Sequence, residues 1–136
     1  MKIFKIHLDN DFCDDDNVQG GIEFDDGTFL VDRHYRDCCE HVYADWEQVA
    51  NDSLALQYDF DCLKIQKKNK FGFRFGDGKH WVFVPCYNIQ NGYYCSELEV
   101  GAGKVLCRVK RRGVMTKNLH YTVLAPTSVN VKDMID

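Results

Sequence analysis

Proline is scarce, with two in 136 residues, and no linker or low-complexity tract divides the chain. No run of about 18 apolar residues occurs, so no membrane-spanning helix is expected. No Cys-x-x-Cys pair is present, which removes the commonest zinc and redox spacing. Neither a glycine period nor a heptad pattern is found, which excludes collagen and coiled coil. What is there suits a packed core: 45% apolar and 28% charged residues exclude wholesale disorder. The expected organisation is one globular β-rich domain over residues 1–126 and a loosely held tail over 127–136. Residues Met1 to Leu8 alternate and soon turn acidic, unlike a secretory signal, so a cytoplasmic chain is expected.

Seven cysteines stand against that background: Cys13, Cys38, Cys39, Cys62, Cys86, Cys95 and Cys107. In a reducing compartment they are expected to be free thiols, most of them packed as small hydrophobes. Cys62, Cys86 and Cys107 fit that reading best, because each lies in or beside an apolar, strand-like run.

The net charge of −4 hides a division. Residues 1–61 hold 16 carboxylates against 4 basic side chains, a net of −12; residues 62–136 hold 5 against 13, a net of +8. Such a split marks either a protein that meets a partner through one polarised face, or two halves that neutralise each other.

Alternation predicts a first strand over residues 2–8 with Phe4, Ile6 and Leu8 on one face. An acidic loop follows to Gly21. Two hairpins are then legible, turning at Asp26-Gly27 and at Asp77-Gly78, because Asp-Gly supplies the positive φ of a tight turn. Gly21-Ile-Glu-Phe-Asp-Asp-Gly-Thr and Gly72-Phe-Arg-Phe-Gly-Asp-Gly-Lys align at an offset of 51 residues. Internal β-hairpin duplication and two independent hairpins with shared turn chemistry both fit. One short helix is expected from Asp45, a capping residue with Gln48 three positions on. Asp37 with Glu40 offers the same box, but Cys39, His41 and Tyr43 alternate, which favours a strand before the helix. Further strands are expected over 62–66, 93–100, 105–109 and 120–124. Gly101-Ala102-Gly103 is read as a turn and Pro126 as the last strand's end. The fold class is therefore α+β, mostly antiparallel sheet as a twisted sheet or half-barrel, with one short helix.

Four groups of residues carry chemistry. The loop Asp15-x-Asn17-x-Gln19-Gly20-x-Ile22-Glu23-x-x-Asp26 partly matches a calcium loop. It lacks the bidentate Glu and its flanking helices, so it is read as a solvated acidic loop. His34, Cys38, Cys39 and His41 offer four metal ligands in eight residues, although adjacent cysteines on a strand point to opposite faces. A thiol nucleophile there would have Asp37 and Glu40 beside it, and anions disfavour thiolate. Lys104, Arg108, Lys110, Arg111, Arg112 and Lys117 form a basic stripe able to track phosphates. Tyr87, Tyr93, Tyr94 and Tyr121 fall near turns and strand ends, where tyrosine either packs or supplies a rigid contact surface.

Asp26-Gly27-Thr28, then Asp37-Cys38-Cys39-Glu40-x-Val42, then Asn91-Gly92-Tyr93-Tyr94-x-Ser96-Glu97 resemble a small uncharacterised family of phages and mobile elements. The resemblance covers roughly residues 21–100; Cys95 interrupts the last motif, and the basic C-terminal third is additional. It implies a phage or mobile-element setting in a host cytoplasm and transfers no catalytic residue.

The expectation is a non-catalytic binding protein, without cofactor or membrane association, that modulates a host or defence protein through a charged surface. Its acidic contact residues would be Asp9, Asp11, Asp14, Asp15, Asp16, Asp25 and Asp26. A zinc or thiol site at His34, Cys38, Cys39 and His41 is the first alternative. Nucleic-acid binding through residues 104–117 is the second.

Overall fold

The computed structural model describes residues 1–12, 16–34, 41–68, 72–89, 97–111 and 114–130. In chain order they form β1 (Ile3–His7), β2 (Val18–Phe24), β3 (Thr28–Arg33), β4 (His41–Ala44), α1 (Trp46–Ala50), β5 (Lys64–Lys68), β6 (Gly72–Gly76), β7 (Trp81–Ile89), β8 (Glu97–Arg111) and β9 (Val114–Asn130). A 3-10 turn, Ala55–Gln57, follows the helix. The chain is α+β and strand-dominated, with antiparallel pairing throughout these ladders. One sheet runs β1-β2-β3-β8-β9; the other runs β4-β7-β6-β5 and curls into a half-barrel.

Local chemistry explains the elements that the sequence announced. Gly27 (φ 87°) and Gly78 (φ 97°) occupy the left-handed region their turns require, which a side chain would strain. The Asp26 carboxylate accepts from the Thr28 N–H at 3.0 Å, and that of Asp77 from the N–H groups of Lys79 and His80, both at 2.9 Å. The two hairpins stand one in each sheet. Asp77 also accepts from the Asp61 N–H at 3.0 Å, so it ties the entry to β5 onto the β6–β7 turn. The short helix begins where expected, with Asp45 accepting from the Gln48 N–H at 3.3 Å.

The main core lies between the sheets. Phe24, Phe60 and Phe75 meet at centroid distances of 5.8–6.2 Å, two of the three pairs edge-on. Trp46 of α1 meets Phe73 of β6 edge-on at 5.9 Å. A smaller cluster of Phe12, Val18, Phe29 and Val31 covers the opposite face of the β1-β2-β3 sheet.

Four expectations change. In β1 a register shift between Ile3 and Lys5 breaks the alternation, so Ile3 and Ile6 pack on the core while Phe4 and Leu8 are exposed. Gly101-Ala102-Gly103 is no turn: it continues β8, pairing with Val31, Leu30 and Phe29 of β3. Pro126 does not end the last strand, which runs to Asn130 with Thr127 opposite Val100. The ladder jumps there from Val100–Thr127 to Ala102–Thr122, and a bulge is where a strand accommodates proline. Cys62 lies in the bend before β5 and is exposed, whereas Cys86 is buried as expected.

Phe75→Ala should remove a ring packed against both Phe24 and Phe60. Urea denaturation should show a loss of about 3–5 kcal/mol, with native spectra retained below the transition.

Candidate binding site

A bulge on β2 starts the construction of the site. Val18 pairs with Arg33 and Gly20 with Asp32, which leaves Gln19 as the unpaired residue. Its side-chain amide reaches the Val42 carbonyl at 2.8 Å and the Asp32 carboxylate at 3.1 Å. Asp32 is fully buried and accepts two further bonds, from the Ala44 N–H and from the Trp46 indole N–H, each at 2.9 Å. One carboxylate therefore joins β2 and β3 of one sheet to β4 of the other and to the helix. Gly20 makes the arrangement fit, because a Cβ there would stand 2.6 Å from the His7 carbonyl and 2.9 Å from the Trp46 ring. Burial pushes the Asp32 carboxyl up to about 6, against the opposing pull of its three donors.

On the other face, His7 is buried and sits between two carboxylates. Its Nδ1 lies 2.8 Å from Asp11 and its Nε2 3.4 Å from Glu23. Phe12 stacks on the imidazole at 4.1 Å and on Phe29 at 5.4 Å. The start of the acidic loop, read from sequence as solvated, is thus fastened to the sheet by Phe12 and Asp11.

The acidic residues do not share one face. Asp9, Asp11 and Asp16 are exposed around the β1–β2 connection. Asp25 and Asp26, also exposed, lie at the opposite end of β2, about 20 Å away along a seven-residue strand. There their carboxylates serve the turn, Asp25 accepting from the Lys2 N–H at 2.9 Å. Asp14 and Asp15 lie outside the described residues.

Next to the first group, Asn10, Asp16, Gln19, His34 and His41 line an open cleft of about 400 Å³. Both expected metal-binding histidines thus reach one cleft, while Cys38 and Cys39 lie outside the described residues. Among the described residues no three potential ligands gather to hold an ion. On the basic stripe, the backbone register sets Lys104 opposite His120, Arg108 opposite Lys117 and Lys110 opposite Met115, with Arg111 at the strand's end; Arg112 lies outside. Tyr87 stands exposed on β7 with its centroid 5.7 Å from that of Tyr43, whereas Tyr93 and Tyr94 lie outside the described residues. No helix among the described residues is long and apolar enough to cross a membrane.

Asp32 and His7 are the polar residues that sequence reasoning missed. Asp32 had a signal: it shares the inward parity of Leu30, where a carboxylate is out of place. No family model matches this chain, and comparison with curated proteins and with solved structures finds no match.

Two tests follow from this geometry. A carboxyl raised from 3.8 to about 6 on folding favours the protonated native state, so this group's contribution to stability falls as pH rises from about 4 to 6. The expected change is roughly 3 kcal/mol, read from urea midpoints across that range. Asp32→Asn should abolish that component, and Asp32→Ala, which strands three buried donors, should destabilise by at least about 3 kcal/mol at neutral pH. For the thiols, burial and then the nearby Asp32 carboxylate push Cys86 far above its ordinary range. Alkylation with peptide mapping should label Cys62 in the native protein and Cys86 only after unfolding; native labelling of Cys86 would contradict the packing.

Proposed function

We propose that this chain is a non-catalytic binding protein that modulates a host or defence protein, in the phage-type setting its motifs resemble. The contact surface is the acidic end of the β1–β2 connection. Asp9, Asp11 and Asp16 carry its charge, and Leu8, 59% exposed, supplies an apolar anchor. The observation that carries this reading is the fastening of the loop. Phe12 in its apolar cluster and Asp11 on His7 hold the segment against the sheet. A segment already held at Asp11 and Phe12 surrenders less entropy there on association, and exposed carboxylates beside it steer a basic partner toward it.

The phage setting rests on the sequence resemblance, and the acidic surface rests on charge and geometry. They are separable: a basic partner of any origin satisfies the second. Asp25 and Asp26 fall outside this surface, since they occupy the far hairpin and cap it.

Affinity capture from a host lysate followed by kinetics on the isolated partner tests the proposal. Asp9→Lys with Asp16→Lys should lower the association rate by at least about tenfold at low salt and flatten its salt dependence, while Leu8→Ala should act mainly on dissociation. Rates that ignore both the reversals and the salt would overturn the electrostatic surface.

A further inference from the structure

The second sheet has a composition foreign to the rest of this acidic chain. Its four strands, HVYA, KIQKK, GFRFG and WVFVPCYNI, contain no aspartate or glutamate on either face, in a protein with 21 such residues. They do contain Lys64, Lys67, Lys68 and Arg74. The inner face is filled by Val42, Ile65, Phe73, Phe75, Val82 and Val84, all in the core. The aromatic residues left over therefore point outward.

They form a row along β7. Phe83 is 42% and Tyr87 38% exposed, large apolar surfaces that core packing does not require. Tyr43 of β4 pairs directly with Tyr87, extending the row sideways. At the other end, the Arg74 guanidinium lies 4.0 Å from the Trp81 ring centroid and donates twice to the Gln66 side chain, at 2.9 and 2.7 Å. The planar cation is thereby positioned over an indole, next to the exposed ring of Phe83, its direct cross-strand neighbour. From Trp81 to Tyr87 the row spans about 20 Å. Beside Phe83 an open groove of about 500 Å³ is lined by Gln48, Asn51, Asp52, Ser53 and Leu54. Two carboxylates border the face: Asp45 caps the helix, and Asp52, in the groove wall, accepts from the Leu54 and Ala55 N–H groups.

We propose that the outer face of the β4-β7-β6-β5 sheet is a stacking platform for single-stranded nucleic acid. Unpaired bases stack on Phe83, Tyr87 and the Arg74 plane, while Lys64 and Arg74 meet phosphates. Charge complementarity selects this occupant: aromatic strands that carry no carboxylate and have cations beside the row suit a polyanion with exposed π-faces. Duplex hides its base faces and fits the row poorly. Gln48 and Asn51 give one base a hydrogen-bonding edge. This surface is distinct from the acidic end, and from the basic stripe of residues 104–117 on which nucleic-acid binding was first expected.

The test is fluorescence anisotropy of the full chain with labelled single strands of about ten nucleotides, in DNA and RNA versions, at low and moderate salt. Binding of either strand that weakens with salt is expected, with Phe83→Ala and Tyr87→Ala each lowering affinity by about tenfold. Both side chains are exposed, so the variants should fold; circular dichroism checks this. Quenching of Trp81 fluorescence in the unmodified chain gives a second readout, because Trp46 is buried and forms a constant background. Absence of binding to either strand would overturn the proposal. So would tighter binding of duplex, or affinity unmoved by Phe83→Ala and Tyr87→Ala but lost on Arg108→Glu with Lys110→Glu. Quenching that persists while a basic protein, rather than nucleic acid, is titrated would equally reject it.

Discussion

The buried carboxylate of Asp32 is the constraint on which the two-sheet arrangement rests. The sheets bury aromatic side chains against each other, and such packing tolerates sliding unless something directional fixes it. Asp32 fixes it from three sides, through the β4 backbone, the Trp46 indole and the Gln19 amide. The β2 bulge exists in service of that contact, because it frees Gln19 from the ladder and re-aims it. Gly20 belongs to the same device, since its missing side chain is what lets the indole approach. A carboxylate kept in so dry a place is an expense in stability that buys a single docking geometry.

How much of this was legible depends on the range of the interaction. Local chemistry could be read directly: the two Asp-Gly turns and the Asp45 cap are contained within a few residues. The flanks of those turns placed parts of β2, β3, β6 and β7 for the same reason. What could not be read was set by distant neighbours. Gly101 to Gly103 carry a turn composition, yet the ladder offered by β3 holds them extended. The face of β1 depended on one register shift, and the end of β9 on a bulge opposite Gly101. Asp32 was visible only as an oddity of parity, because its partners lie 12 to 14 residues away on both sides. The candidate residues fared alike: sequence proximity grouped Asp9 to Asp26, and the length of β2 separates them.

The two surfaces described above differ in kind because the sheets that carry them do. The β1–β2 end offers charge on a fastened loop, suited to steering a partner and fixing its orientation. The half-barrel offers flat aromatic area on rigid strands, suited to stacking. Charge segregation along the sequence is not carried over strand by strand. The five-strand sheet joins β1, β2 and β3 of the acidic half to β8 and β9 of the basic half, and the four-strand sheet joins β4 of the acidic half to β5, β6 and β7 of the basic half.

The Asp-Gly turns also bear on how the protein ages. Among aspartates, one followed by glycine is the most prone to close into a succinimide and reopen as isoaspartate, since glycine leaves its amide nitrogen open to attack the side chain. Each hairpin blocks that chemistry differently. At Asp26 the attacking nitrogen is occupied, because the Gly27 N–H donates to the Phe24 carbonyl at 3.1 Å. At Asp77 the carboxyl is the unwilling partner: the N–H groups of Asp61, His80 and Lys79 hold it well below the usual carboxylate range, so it stays ionised and a poor electrophile. The bonds that close these turns therefore also guard the backbone against chemical wear, and a chain that loosens at either hairpin exposes itself to damage that refolding cannot reverse.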